Sequence, residues 1–235
     1  MIRHVAVVVP ARDEEELVGR CLRSIAEAGL VCPVPTSLVV VLDACTDGTA
    51  AAVADALEGT VGVDVEVVAT EAGNVGAARA LGVSHALVGL DLDPTDVLLA
   101  CTDADSQVPP WWLTELVRLA DEGADVVVGT VRPDPTDLDA DDLEAWSATR
   151  VPGRPNGHVH GANLAVRLSS YVRAGGFPRR TEHEDVTLVA SLRATGARVV
   201  PSDAVDVLTS GRRVGRTPGG YAGYLQQRFP VGARA

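Results

Sequence analysis

Short continuous apolar runs alternate along this chain with longer segments whose apolar residues recur every three or four positions. The first run, HVAVVVP at 4–10, is β-branched and lacks polar alternation, which is typical of a parallel strand buried on both faces. The segment at 14–30 spaces its apolar residues along one helical face and predicts a helix. Further strands are predicted at 37–43, 63–70, 96–105 and 124–132, with helices between them at 48–59, 74–87 and 109–123.

Strand and helix alternate four times in the first 132 residues, and this repetition indicates the fold class. It predicts an α/β protein, a three-layer α/β/α sandwich around a mostly parallel central sheet. The pattern breaks at 133–160, where acids and turn formers predict a mobile or partly helical insertion. Beyond it we expect a strand or turn leading into a helix at 161–177, a helix at 184–196 and one or two short strands at 197–207.

The charge distribution limits the class of partner. A net charge of −12 argues against a nucleic-acid partner, because the field of the whole protein repels polyanions. No acid follows Asp206, so the end of the chain is a basic island on an acidic protein. The arginines of this tail are Arg212, Arg213, Arg216, Arg228 and Arg234.

The types of residue that are missing exclude other classes. All 20 basic residues are arginine, which excludes lysine-dependent Schiff-base and pyridoxal-phosphate enzymes and the Walker A phosphate loop. The four cysteines form no CxxC pair, and we interpret them as reduced residues of a cytoplasmic protein. No apolar stretch reaches the roughly 18 to 20 residues of a membrane span, and the sequence starts in a strand instead of a signal peptide. We expect a soluble protein, with peripheral membrane contact left open.

Polar residues follow each predicted strand, at the edge where an open parallel sheet binds ligands. The first turn, PARDEEE, contains no glycine, so a nucleotide there cannot have its phosphates cradled by a glycine-rich loop. Asp103 and Asp105 either form a solvated turn or hold Mg²⁺ or Mn²⁺, which prefers a few carboxylates together with substrate phosphate oxygens. The predicted rim consists of Arg12, Asp13, Glu14, Asp43, Asp47, Glu71, Asn74, Arg79, Asp103 and Asp105.

Six segments, in order along nearly the whole chain, resemble the motifs of family 2 glycosyltransferases of GT-A fold. VVVPARDEEE is similar to the opening V-P-x-x-N-E segment of the family, and TDAD to its DXD motif. Three positions depart from the pattern, with Asp13 for Asn, Leu42 for Asp and Ala80 for Asn. The other matching segments are VVVLDACTDGT, GNVGAARALG, GANLAVRLSSYVRAGGF and HEDVTLVASL.

The resemblance implies a role for each matching residue. Pro10, Glu14 and Asp43 would line the nucleobase and ribose pocket, with Arg79 reaching the base or the phosphates. Asp105 would be the main metal ligand, and Asp103 would contact ribose or metal. Asp185 would be the catalytic base, beside Glu184. The donor site as a whole is predicted to comprise Pro10, Arg12, Glu14, Asp43, Asn74, Arg79, Asp103, Ala104 and Asp105.

Several of these residues have simpler interpretations that the sequence leaves open. Glu184 and Asp185 fit the acidic first turn of a helix equally well, and Arg79 fits a salt bridge with rim acids. His158 and His160 lie on one loop and either are bystanders or add a metal ligand, for which His160 is the candidate, or contact the leaving phosphate. Trp111 and Trp112 either pack in the core or stack on an acceptor sugar. Asn163 either belongs to the site or shapes a turn.

The resemblance predicts an inverting, metal-dependent glycosyltransferase that uses Mn²⁺ or Mg²⁺ and a UDP or GDP sugar on a small or lipid-linked acceptor. A sugar-phosphate nucleotidyltransferase and a non-catalytic nucleotide-sugar-binding protein are the alternatives. We expect a single catalytic domain over 1–235. Its nucleotide-sugar half would be 1–132, its acceptor and catalytic-base half 133–206, and its arginine-rich flap 207–235, which covers the diphosphate or contacts an anionic acceptor or membrane.

Overall fold

A single mixed sheet forms the centre of the molecule. The computed structural model describes residues 1–217 and 219–229, and within them eight strands share this sheet. The strands are β1 (His4–Ala11), β2 (Thr36–Asp43), β3 (Asp64–Thr70), β4 (Val97–Cys101), β5 (Ser106–Gln107), β6 (Val126–Pro133), β7 (Leu164–Arg167) and β8 (Val199–Thr209). Their order across the sheet is β3-β2-β1-β4-β7-β6-β8-β5.

Strand β1 lies inside the sheet because both of its faces are apolar. Val5, Val7 and Val9 pack on one side of the sheet, and Ala6 and Val8 pack on the other. Parallel pairing joins β1 to β2 and β4, β2 to β3, and β6 to β8. The carboxyl ends of β1, β2 and β4 therefore meet at one edge, which we call the carboxyl edge.

Helices cover both faces of the sheet, which confirms the predicted three-layer α/β/α sandwich. The helices are α1 (Val18–Val31), α2 (Thr49–Leu57), α3 (Val75–Ala86), α4 (Trp112–Asp121), α5 (Ala140–Ser147), α6 (Leu168–Arg173), α7 (Glu184–Ala194) and α8 (Tyr221–Arg228). Helices α1, α2 and α4 pack on one face, and α3, α6 and α7 pack on the other. Trp146 of α5 packs with Leu225 of α8 and with Phe229, the residue after α8.

Strand β7 brings a distant part of the chain to the carboxyl edge. It runs antiparallel to both β4 and β6, and its first residue, Leu164, pairs with Cys101, the last residue of β4. The residues just before β7 therefore lie beside the turn that follows β4. Strand β8 runs parallel to β6, so its end at Thr209 also delivers the tail to this edge.

Two boundaries at the carboxyl edge differ from the sequence prediction. The first helix begins at Val18 instead of residue 14, because the chain first turns through hydrogen bonds from the Leu17 and Val18 amides to the Glu14 carbonyl. Strand β4 ends at Cys101, so Asp103 and Asp105 lie in the turn beyond it. The 133–160 segment contains helix α5, in agreement with a partly helical insertion.

Part of the predicted flap lies outside the described residues, namely Pro218 and residues 230–235, with Arg234 among them. In the portion of the chain that the structure describes, no helix has the length and apolar character needed to cross a membrane.

Candidate functional site

A cleft of about 420 Å³ opens at the carboxyl edge of the sheet. It contains the ends of β1 and β2, the turn after β4, the segment before β7, the start of α7 and the tail after β8. The structure thus collects in one place every residue predicted for the donor, metal and catalytic roles, although the roles themselves stay predictions. These residues are Pro10, Arg12, Glu14, Asp43, Asn74, Arg79, Asp103, Ala104, Asp105, His160, Glu184 and Asp185.

Arg79 connects three walls of the cleft. This residue of α3 is almost fully buried, and its Nε donates to Glu184 Oε1 at 3.0 Å. Its two Nη groups donate to Asp103 Oδ1 at 2.5 Å and to the Gly161 carbonyl at 3.1 Å. Burial alone would lower the pKa of Arg79, but the charges of Asp103 and Glu184 raise it above the usual value, so the guanidinium stays charged. The structure therefore pairs Arg79 with rim acids.

The two acids at the start of α7 have different surroundings. Glu184 is buried against Arg79, and burial raises the pKa of Glu184 above its usual range while Arg79 opposes that rise. Asp185 is partly exposed to the cleft. Its Oδ2 accepts the Gly161 amide at 2.7 Å, and its Oδ1 accepts the Val186 amide at 2.7 Å. Asp185 is therefore the carboxylate of the pair that a reactant in the cleft can reach.

The end of the cleft near β2 is organised by Asp43. Its two carboxylate oxygens accept the amides of Gly73 at 2.7 Å and Asn74 at 2.8 Å, and so fix the loop that follows β3. Asn74 in turn caps α3 by accepting the Ala77 amide at 2.9 Å. Gly73 has a φ of 57°, a left-handed conformation that suits glycine. Arg12 is exposed at the same end, with its guanidinium close to Gly73.

Two tail arginines reach into the acidic side of the cleft. The Nη groups of Arg212 donate to both carboxylate oxygens of Glu14, at 2.9 and 2.6 Å, and Nη2 also lies 2.9 Å from Asp105 Oδ2. Arg216 Nη1 donates to Glu14 Oε1 at 2.6 Å. Burial, followed by the charge of Asp103, raises the pKa of Asp105 to about 6, although Arg212 opposes the shift. This side of the cleft therefore favours bound cations.

Arg212 and Arg216 were not among the predicted site residues. The available signal was the tail without acids, which predicted a flap without indicating what its arginines contact. Because β8 ends at the carboxyl edge, the chain reaches Glu14 and Asp105 within a few residues of Thr209.

The acids of this side fit a divalent cation that is shared with a ligand. Among residues 1–217 and 219–229 no group of three or more His, Cys, Asp or Glu side chains could hold a metal ion, so Asp103, Asp105 and His160 form no ready-made cage. Mg²⁺ and Mn²⁺ at nucleotide sites take one or two carboxylates and complete their shell with phosphate oxygens and water. Asp103 and Asp105 match that donor set.

His160 lies in the cleft, and His158 does not line it. Burial lowers the pKa of His160 to about 4, against the opposing charge of Asp185, so the ring is neutral at pH 7. Its ring stands edge-on to Tyr221, with centroids 5.9 Å apart. A neutral imidazole can accept a hydrogen bond or ligate a metal, and the role of His160 as a metal ligand stays a prediction.

The tryptophans and Asn163 lie outside the cleft. Trp112 is fully buried, so the hypothesis that it stacks on an acceptor is wrong. Its Nε1 donates to Asn163 Oδ1 at 3.0 Å, and the side-chain Nδ2 of Asn163 donates to the carbonyls of Thr130 and Val205. Asn163 therefore supports the core beneath the site. Trp111 is 57% exposed and donates to the Ala204 carbonyl at 3.1 Å.

The chain is similar to proteins of one family. Residues 6–160 match the family model described as glycosyl transferase family 2. The undecaprenyl-phosphate 4-deoxy-4-formamido-L-arabinose transferase of Enterobacter sp. (strain 638) is 34% identical over 133 residues, which are 56% of this chain and 37% of that protein. The protein of the same name from Klebsiella pneumoniae (strain 342) is 28% identical over 197 residues, 84% of this chain and 57% of that one. The chain thus spans about half the length of these relatives or less.

Solved structures share the fold. One is the mannosyltransferase PcManGT of Pyrobaculum calidifontis in complex with GDP-Man and Mn²⁺, with a TM-score of 0.68 at 24% identity. The superposition covers 92% of this chain and 59% of the mannosyltransferase chain. TarS 1–349 of S. aureus in complex with UDP-GlcNAc gives a TM-score of 0.67 at 15% identity, with 93% and 61% covered. These likenesses confirm the predicted GT-A fold.

Proposed function

Because this chain belongs to glycosyl transferase family 2, we propose that it transfers a sugar from a nucleotide-diphosphate donor to an acceptor hydroxyl, with inversion at the anomeric carbon. The single observation that carries the proposal is the composition of the cleft. The cleft holds three carboxylates, those of Glu14, Asp103 and Asp105, with three arginines suited to a metal-bound diphosphate, and it also holds the partly exposed carboxylate of Asp185.

On the donor side, Asp103 and Asp105 would hold Mn²⁺ or Mg²⁺ together with the diphosphate. When bound, the metal supplies positive charge that stabilises the leaving diphosphate. Arg79 adds a fixed, desolvated cation beside Asp103, and preorganised charge of this kind lowers the barrier more than a mobile side chain does. Pro10, Glu14 and Asp43 would line the pocket for the nucleobase and ribose.

On the acceptor side, Asp185 would accept the proton of the attacking hydroxyl. The Gly161 amide holds one of its oxygens, which keeps the carboxylate oriented toward the cleft. Glu184 is bound to Arg79 and is therefore not assigned as a second, nucleophilic carboxylate. The proposed reaction uses a single carboxylate, which acts as the base. A single displacement inverts the configuration at the anomeric carbon, by analogy with inverting glycosidases.

The comparisons support the classes of donor and acceptor. One structural neighbour is in complex with GDP-Man and Mn²⁺ and another with UDP-GlcNAc, which supports a nucleotide-sugar donor and a divalent cation. The relatives named for undecaprenyl phosphate support a lipid-linked acceptor. In this proposal, residues 1–132 form the donor half, residues 133–206 supply the base, and the described part of the tail closes over the diphosphate.

Binding of UDP and GDP, measured by calorimetry with Mn²⁺ or with EDTA, tests the donor site. We expect binding of one nucleotide that requires Mn²⁺ and that is lost in Asp105→Asn. Asp141→Asn, the same change at an exposed acid of α5 outside the cleft, is the matched control and should bind normally. Equal affinity in EDTA would contradict the metal assignment.

Release of nucleoside diphosphate from GDP-Man and UDP-GlcNAc, with candidate acceptors present, tests the reaction. Asp185→Asn should keep donor binding and lose transfer to a hydroxyl. Retained transfer would remove the base assignment and favour a lipid-phosphate acceptor, whose oxygen is already ionised at neutral pH. Pyrophosphate release from a sugar 1-phosphate and a nucleoside triphosphate would indicate a nucleotidyltransferase instead.

A further inference from the structure

Arg212 occupies the oxygen of Asp105 that a metal ion would need. Asp105 Oδ1 lies 3.3 and 3.4 Å from the hydroxyls of Ser106 and Thr209, which donate to it from the sheet side. Asp105 Oδ2 is the oxygen that Arg212 Nη2 contacts at 2.9 Å. A metal at Oδ2 would stand beside the guanidinium of Arg212, and because two cations at one carboxylate oxygen repel each other, the metal and Arg212 compete for Asp105.

The contacts of Arg212 also allow it to move. The Arg212 side chain is about one-third exposed, and both of its ion-pair partners are side chains of the cleft wall. Glu14 keeps a second cation when Arg212 leaves, because Arg216 also donates to Glu14 Oε1. When a metal replaces Arg212 at Asp105, both partners of Arg212 therefore still have a cation: the metal at Asp105 and Arg216 at Glu14.

We propose that Arg212 is an exchangeable internal counter-cation of the donor site. In the free protein it neutralises Asp105 and Glu14. When metal and nucleoside diphosphate bind, the metal displaces the guanidinium from Asp105 Oδ2, and the freed guanidinium pairs with the diphosphate. A planar guanidinium recognises phosphate oxygens through paired hydrogen bonds, so the same group that competes with the metal alone assists the complete ligand. The inference rests on the proposed donor site.

The exchange predicts effects of opposite sign for one substitution. Arg212→Gln removes the competitor, so Mn²⁺ alone should bind about tenfold more tightly than to the wild type. The same variant lacks the phosphate partner, so UDP or GDP in saturating Mn²⁺ should bind about tenfold more weakly. A residue that merely stabilises the fold would not strengthen the binding of one ligand and weaken that of the other.

The matched control is Arg213→Gln. It removes the same charge from the next residue, whose guanidinium contacts the Asp142 carboxylate and the Phe229 carbonyl and does not line the cleft. We expect it to bind both ligands as the wild type does. Arg212→Lys retains the charge and should keep Mn²⁺ affinity within about twofold of the wild type. Thermal unfolding of each variant checks that it is folded.

Free Mn²⁺ is measured by electron paramagnetic resonance during titration of the full chain, and nucleotide binding by calorimetry. Tighter Mn²⁺ binding together with weaker nucleotide binding in Arg212→Gln supports the exchange. Equal Mn²⁺ affinity in Arg212→Gln and wild type, undetectable Mn²⁺ in both, or an equal gain in Arg213→Gln overturns it, and so does unchanged nucleotide affinity. If the wild type binds neither nucleotide, the proposed donor site fails instead, while the Mn²⁺ titration still compares the two proteins.

Discussion

Removal of the Arg79 guanidinium should destabilise the protein, because it leaves the buried carboxylate of Glu184 without a compensating charge. Glu184 is buried, and Arg79 Nε, 3.0 Å from its Oε1, is the cation that compensates its charge. Arg79→Met keeps much of the aliphatic volume in the core and deletes the guanidinium. The main cost of the variant is therefore an uncompensated Glu184, to which the lost hydrogen bonds to Asp103 and the Gly161 carbonyl add.

The structure sets the magnitude of the loss. Breaking a buried ion pair by deleting one partner costs about 3–5 kcal/mol, because the remaining charge stays desolvated. The second partner, Asp103, is 39% exposed, and its pair with Arg79 adds at most about 1 kcal/mol. At about 2–4 °C per kcal/mol for a chain of this size, we expect Tm to fall by roughly 6–24 °C.

The loss should depend on pH with a definite sign. Burial raises the pKa of Glu184 above its ordinary value of 4.5, and Arg79 limits the rise. Without Arg79 the pKa rises further, so the folded state binds this proton more tightly than the unfolded state does. The resulting stabilisation is complete below pH 4.5 and is lost as the pH rises through the folded pKa. The deficit of the variant should therefore shrink from pH 7 to pH 5.

Urea unfolding of four proteins at both pH values tests this account. The double variant Arg79→Met/Glu184→Gln removes both charges, so it should regain about 1–3 kcal/mol over Arg79→Met at pH 7. The single variant Glu184→Gln completes the double-mutant cycle. Additive losses, or a deficit that is the same at pH 5 and pH 7, would refute the role assigned to the buried carboxylate.

Three further substitutions probe the surroundings of the cleft. Gly161→Ala places a Cβ against the guanidinium of Arg79, and we expect a loss of about 1–3 kcal/mol in thermal unfolding together with reduced transfer. Asn163→Ala leaves buried donors and acceptors unpaired, so chemical denaturation should show a loss of about 2–4 kcal/mol, and wild-type stability would contradict its supporting role. Trp111→Ala lies outside the cleft, and calorimetry should find donor affinity within twofold of the wild type.

Local patterns predicted the elements that hold the donor-side residues. The apolar runs predicted β1 and β2 to within a residue or two, because short runs rich in β-branched residues favour a strand buried on both faces over a longer helix. The same pattern predicted that Asp43 and Asp103 lie together, since the carboxyl ends of parallel strands meet at one edge. What each acid contacts there was beyond the reach of the pattern.

The contacts that the sequence did not predict join residues far apart along the chain. Arg212 meets Glu14 across 198 positions, and the pairing depends on the parallel register of β6 and β8, which no local signal specifies. The chain contains 20 arginines and 32 acidic residues, so its composition allows many possible ion pairs for each guanidinium. Only the sheet order decides that the tail meets the acids after β1 and β4. Since that order also delivers Gly161 to Asp185 through antiparallel β7, one topological feature assembles both the donor side and the base.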